Sequence, residues 1–230
     1  METLPQEETL RENMARRSFL RYAGIGVAAG TIAMASACKK DKNDGNSTNR
    51  VDIGSGDVGI LNYAYALEQL EAAFYVRVAA SPYANISASE SALLTDIRDH
   101  EVAHREFFKA ALAGNAIMGL SVDFSSINFA DRTSVLNTAK AFEDLGVAAY
   151  NGAGYLIKDA GYLTLAGKIV SVEARHAAYI RNLISNGSYA DSTVVDGNGL
   201  DKTLAIAQVL PTANMFLSTK VSASNFGYNI

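Results

Sequence analysis

The chain has 230 residues, 49% of them hydrophobic, with three prolines and no tryptophan, which suits one domain of ordinary size plus a tail. Twenty basic against twenty-four acidic side chains leave a net charge of −4, and nothing in that balance points to a nucleic-acid partner. The single cysteine, Cys38, excludes an internal disulfide, a cysteine-rich zinc site and a thiolate-held iron–sulfur cluster.

The first expected element is not part of the fold. Arg16-Arg17-Ser18-Phe19-Leu20-Arg21 resembles a twin-arginine export signal, and it leads into an apolar run from Tyr22 to Ala37 that is short for a membrane span. The run ends in Ala35-Ser36-Ala37-Cys38, which resembles a bacterial lipobox. Residues 1–37 are therefore expected to be a cleaved signal, and Cys38 the acylated first residue of an exported, periplasmic or cell-envelope lipoprotein. Cleavage without lipid, or an uncleaved anchor, are the alternatives. Residues 38–56, beginning Lys39-Lys40-Asp41-Lys42-Asn43-Asp44, are charged and rich in Asn, Ser and Gly, as a flexible tether between membrane and domain would be.

Four helices are expected in residues 57–186. Asp57 caps the first, whose apolar stripe runs through Leu61, Ala64, Tyr65, Glu68, Ala72, Tyr75 and Val78 until Pro82 stops it. Ser87-Ala88-Ser89-Glu90 reads as a capping box for the second, which carries Leu93, Leu94, Ile97, Glu101, His104, Phe108 and Leu112 and ends near Gly114. From Asn115 to Arg132 no period holds; a stretch of that length fits a single long crossover between second and third helices that run the same way. The third helix runs from about Thr133 through Phe142, Glu143, Gly146 and Tyr150. The fourth runs from about Tyr162 through Ile169, Glu173, His176, Ile180 and Leu183 to the stop at Asn186-Gly187. A C-terminal extension, 187–230, adds a turn at Asp196-Gly197-Asn198-Gly199 and a short helical stretch, Leu204 to Leu217, interrupted by Pro211.

The chemistry lies in two matched pairs. Glu101-Val102-Ala103-His104 and Glu173-Ala174-Arg175-His176 are each Glu-x-x-His on an expected helix, and a three-residue step places the two side chains about 60° apart, one turn along, where both reach one ion. One such pair on each of two helices, with a lone Glu on each of the other two, holds two metal ions in a bundle core. Glu143 supplies the third helix's carboxylate, and Glu68 or Glu71 the first's. Glu68 lies at nearly the same distance from the first turn as Glu101 does, so Glu68 is the expected ligand and Glu71 the alternative. His100 points about 100° away from Glu101 and reads as a half-buried neighbour. Tyr75 and Tyr150, seven residues beyond Glu68 and Glu143, read as core aromatics that could otherwise bond to the site.

The segments Ala66-Leu67-Glu68-Gln69-Leu70-Glu71-Ala72-Ala73-Phe74-Tyr75, Asp99-His100-Glu101-Val102-Ala103-His104, Phe142-Glu143-Asp144-Leu145-Gly146 and Val172-Glu173-Ala174-Arg175-His176 together resemble the ferritin-like family that includes plant desiccation-related proteins. The similarity covers about residues 57 to 220. It implies an all-α, ferritin-like four-helix bundle with a two-metal centre, Fe or Mn, at Glu68, Glu101, His104, Glu143, Glu173 and His176; it does not imply a reaction. The expected function is redox chemistry toward O2 or peroxide, as an oxidase, peroxide scavenger or catalase. The alternative is a non-catalytic metal-binding or stress-related envelope module. An acylated tether on every subunit argues against a closed storage shell.

Overall fold

The computed structural model describes residues 49–230; the expected signal, Cys38 and most of the tether lie outside them. Four long helices, α1 (Gly56–Ala80), α2 (Ala88–Leu112), α3 (Arg132–Ala153) and α4 (Ala160–Ile184), are followed by a short α5 (Ile206–Ala213). Two three-residue strands, β1 (Arg50–Asp52) and β2 (Lys220–Ser222), pair in parallel. This is the expected all-α bundle with a short C-terminal helix. The strand pair was not expected: β1 falls where a flexible tether reads from composition, and its partner lies at the other end of the domain.

Three helix starts are set by side chains that accept an otherwise orphaned backbone N–H. Ser87 Oγ takes Glu90 N at 3.1 Å, Asp131 takes Ser134 N at 2.7 Å and Asp159 takes Tyr162 N at 2.9 Å. The expected reciprocal bond of the capping box is absent, because the Glu90 carboxylate turns instead to the Tyr83 hydroxyl and to the Arg132 guanidinium at 2.8 and 3.1 Å. Asp57 does not cap its own helix. It sits in the first turn of α1 and accepts the backbone N–H groups of Lys158 and Asp159, 2.9 and 2.8 Å away.

These bonds also fix helix direction. Arg132, at the start of α3, meets Glu90, near the start of α2, so α2 and α3 run the same way. Asp57, at the start of α1, meets the residues just before α4, so those two run together. The segment 116–131 is the long crossover this order requires. It is packed rather than loose: Ile127 is buried, Phe124 and Phe129 pack edge-on or tilted against Phe74, and Leu120 N donates to Gln69 Oε1 at 2.8 Å.

The crossover and the C-terminal tail explain why α1 departs from the amphipathic stripe its sequence suggests. From Gly59 to Ala72 every residue of α1 is buried, as befits a helix covered on all sides. Asn62 is satisfied there by the carbonyls of Ile53 and Asn115 and by Ile117 N–H. Phe74 is the hub of an aromatic cluster with Tyr75, Phe124, Phe129 and Phe142, and truncating such a side chain to Ala costs about 3–5 kcal/mol.

The tail holds its own surprise in Arg181, buried at 2% exposure on α4. It pairs with Asp144 and Asp191 at 2.6 and 2.7 Å, and donates to Thr193 and to the Ser188 carbonyl. One buried guanidinium thereby organises the loop after α4. Pro211 does not interrupt α5 but sits inside it, and a 3₁₀ turn over Asn214–Phe216 follows directly after Ala213. No described helix is long and apolar enough to cross a membrane.

Candidate metal centre

Each of the four long helices sends one fully buried carboxylate into the space between them: Glu68 from α1, Glu101 from α2, Glu143 from α3 and Glu173 from α4, all at 0% exposure. The three-residue spacing brings His104 and His176 in beside their own helix's Glu. The six residues expected from sequence to be ligands meet here. They form two four-residue groups, Glu68–Glu101–His104–Glu173 and Glu101–Glu143–Glu173–His176, the candidate ligand atoms of each group lying within 4.8 Å of one another. Glu101 and Glu173 belong to both groups. Glu71 belongs to neither; it is buried one turn along α1, and its Oε1 would lie 2.9 Å from a Cβ added at Gly146, so the absent side chain of α3 makes its room.

In each group one imidazole nitrogen faces several oxygens at once. His104 Nδ1 is 2.7 Å from Glu173, 3.5 Å from Glu68 and 3.8 Å from Glu101. His176 Nδ1 is 2.7 Å from Glu101, 3.4 Å from Glu173 and 3.5 Å from Glu143. None of these approaches is a hydrogen bond. Eight atoms, Nδ1 of both histidines, both oxygens of Glu101 and of Glu173, and Oε2 of Glu68 and Glu143, are buried with no hydrogen-bond partner among the described residues. An orphaned buried polar atom costs about 1–3 kcal/mol, so eight converging on one place need a common explanation. A divalent ion supplies it. Bonds of about 2.1 Å at right angles hold ligand atoms about 3.0 Å apart, within the spread seen here. The remaining oxygens are tied back: Tyr75 donates to Glu143 Oε1 at 2.5 Å and Tyr150 donates to Glu68 Oε1.

The electrostatics tell the same story. Glu68 is pushed well above the carboxylate range by burial and then by the charges of Glu173 and Glu101, and Glu71 likewise by burial and the cluster's carboxylates. Burial pushes Glu143 up to about 8, with His176 offsetting part of the shift. Burial would raise Glu101 too, but the two facing imidazoles outweigh it and bring it down to about 2. For His104 and His176 burial disfavours the cation, and the surrounding carboxylates reverse that, pushing both up to about 12. A pocket that forces protons onto imidazoles and carboxyls is one that attracts cations.

Tyr75 and Tyr150 lie in the core, as their spacing suggests, and are in addition hydrogen-bond donors to the carboxylates, each reaching from its own helix to the Glu of the other hairpin. His100, read as a half-buried neighbour, is exposed, and its Nδ1 lies 2.9 Å from Nε2 of His176, the two rings near-parallel with centroids 5.1 Å apart. It orients a ligand candidate from outside, as the outer partners of metal-binding histidines do. Its position immediately before Glu101, one turn before His104, was the available signal.

The ferritin-like domain family matches residues 56–186, the span from the start of α1 to just beyond α4. No curated protein matches the chain. The match, together with four helices joined by one long crossover around a buried carboxylate–histidine cluster able to hold metal, places the chain in the ferritin-like domain family.

Proposed function

We propose that this chain is an exported, membrane-anchored protein that holds two Fe or Mn ions and exchanges electrons with O2 or peroxide. The observation that supports it best is the pair of overlapping ligand groups sharing Glu101 and Glu173: two carboxylates common to two groups would be available to both ions, and each group keeps one imidazole of its own. When bound, two such ions together supply the two-electron exchange that reduces O2 to peroxide or peroxide to water. The chain's own contribution is to position and to hold protons. Tyr75 and Tyr150 fix one oxygen of Glu143 and Glu68 and leave the other free. His100 Nδ1 meets the outer nitrogen of His176 at 2.9 Å; with that outer nitrogen as the donor, the inward one keeps its lone pair for an ion.

Metal quantification after reconstitution with Fe(II) or Mn(II) tests the reading. Two ions per chain are expected, and a value near zero would overturn it. The complete burial of all four carboxylates favours a second reading, in which the ions clip the helices together without turnover. Metal at full occupancy with neither O2 nor peroxide consumed would select that one.

The anchor belongs to the same proposal and rests on the lipobox-like Ala35-Ser36-Ala37-Cys38 after the twin-arginine-like stretch. Mass spectrometry of the mature N-terminus should find a diacylated or triacylated Cys38. Cleavage elsewhere, with a soluble product, would remove the membrane from the proposal.

A further inference from the structure

A small cavity of about 20 Å³ is lined by residues of all four long helices, among them Tyr150. Leu67, Phe108, Ala149 and Tyr150 form its buried inner part. Ile157 and Ala166, both half-buried, stand at its outer end near the α3–α4 turn. Its walls are hydrocarbon. The Tyr150 hydroxyl bonds Glu68, and the hydroxyl of Tyr63, which also lines the cavity, is buried with no hydrogen-bond partner among the described residues.

A space of this size holds one water or a molecule slightly larger, but a buried water requires two to four polar partners and this wall offers at most one, the Tyr63 hydroxyl. What suits it is a small apolar molecule. The ring of Tyr150 lines the cavity and its hydroxyl bonds Glu68, so a molecule in the cavity is one side chain from the Glu68 edge of the centre. We infer that this cavity is a binding site for molecular oxygen, reached past Ile157 and Ala166 and feeding the centre from the Glu68 side. The inference rests on the proposed reactivity with O2 for its purpose, but not for its existence. Hydrogen peroxide, which would leave its own hydrogen bonds unmade against hydrocarbon, takes another way in.

The test uses O2 itself as the probe. Methyl-labelled, metal-free protein under raised O2 pressure should show paramagnetic broadening of the Leu67 and Ala149 methyls several-fold above that of methyls buried equally deep elsewhere, such as Val209 and Ala213. Ala166→Leu, which places a larger side chain at the half-buried end, should abolish that excess. In Fe(II)-loaded protein the same substitution should slow oxidation by O2 several-fold and leave oxidation by peroxide at the wild-type rate. Ile157→Ala, which widens the same end, should raise the excess broadening and keeps the question open to test if Ala166→Leu folds poorly. Broadening no greater at the cavity than elsewhere would overturn the inference, as would a folded Ala166→Leu protein that reacts with O2 like wild type. Failure to load metal would sink the proposed function alone, since the broadening is read without metal.

Discussion

Tyr75 and Tyr150 do for Glu143 and Glu68 what backbone amides do at many anion sites: each satisfies one carboxylate oxygen and leaves the other pointing inward. Removing the hydroxyl strands an oxygen in a dry core. Tyr150→Phe should therefore lower the stability of the metal-free protein by about 1–3 kcal/mol, read by thermal melting, while metal content stays at its wild-type value; a loss of metal in equal measure would show that the tyrosine does more than hold Glu68. His104 and His176 serve different groups, so His104→Ala and His176→Ala should each remove about half the metal and reduce the metal-dependent rise in melting temperature. Variants that keep full metal content would show that these imidazoles are not ligands. At this scale the sequence was informative about the acids and histidines and poor about their partners. Three-residue spacing within one helix decides which side chains share a face, so Glu101–His104 and Glu173–His176 were legible without a structure. Whether the tip of Tyr150 finds Glu68, or His100 finds His176, depends on how one hairpin is rotated against the other, and no periodicity within a helix carries that.

Glu90 shows how an element boundary can serve two ends. Its backbone N–H is taken by the helix cap, while its carboxylate joins the start of α2 to the start of α3 through Arg132. Burial raises the Glu90 pKa, but Arg132 and Tyr83 outweigh it and leave the group below its ordinary value. A depressed carboxylate contributes stability that is fully present above the unfolded pKa of about 4.3 and is lost as pH falls through the lower folded value. Arg132→Ala should accordingly cost about 0.2–1 kcal/mol at neutral pH, the scale of a partly exposed pair, and much less in strongly acidic solution, so the acid limb of its stability curve is the shallower one in a series of urea melts. Gly152 marks a second boundary. A Cβ there would lie 1.9 Å from the Leu204 carbonyl oxygen, where the tail runs against α3 and Leu204 N donates to Ala148 O at 3.0 Å. Gly152→Ala should cost about 1–3 kcal/mol and expose the 187–205 segment to limited proteolysis; a variant as resistant as wild type would mean that the tail has another resting place. Helices of 25, 25, 22 and 25 residues were legible because their apolar spacing repeats over many turns. The strands were not, since three residues offer too little alternation to read and β1 pairs with a segment about 170 positions away.

Considered whole, the domain consists of two hairpins, α1–α2 and α3–α4, and each ligand group draws three residues from one hairpin and one from the other. An ion in either group therefore joins the hairpins. Metal at about a thousandfold above its dissociation constant adds about 4 kcal/mol to a folded state that alone can bind it. Chelation should lower the melting temperature accordingly, and native-state hydrogen exchange should report the loss in both hairpins together at the amides around residues 101 and 173. Loss confined to one hairpin would mean that the cluster belongs to that hairpin and does not join the two.

The parallel pairing of Arg50–Asp52 with Lys220–Ser222, continued by the bond from Ile53 N to Ser222 O, also has a mechanical meaning. Tension applied upstream of Asn49 loads this ladder along its length, so that several hydrogen bonds share the force and must fail together. The helices that carry the acids and histidines lie behind it. A tug on the leading end would thus be spent in a strand pair that holds none of the ligand candidates, and the geometry of the centre is spared that force.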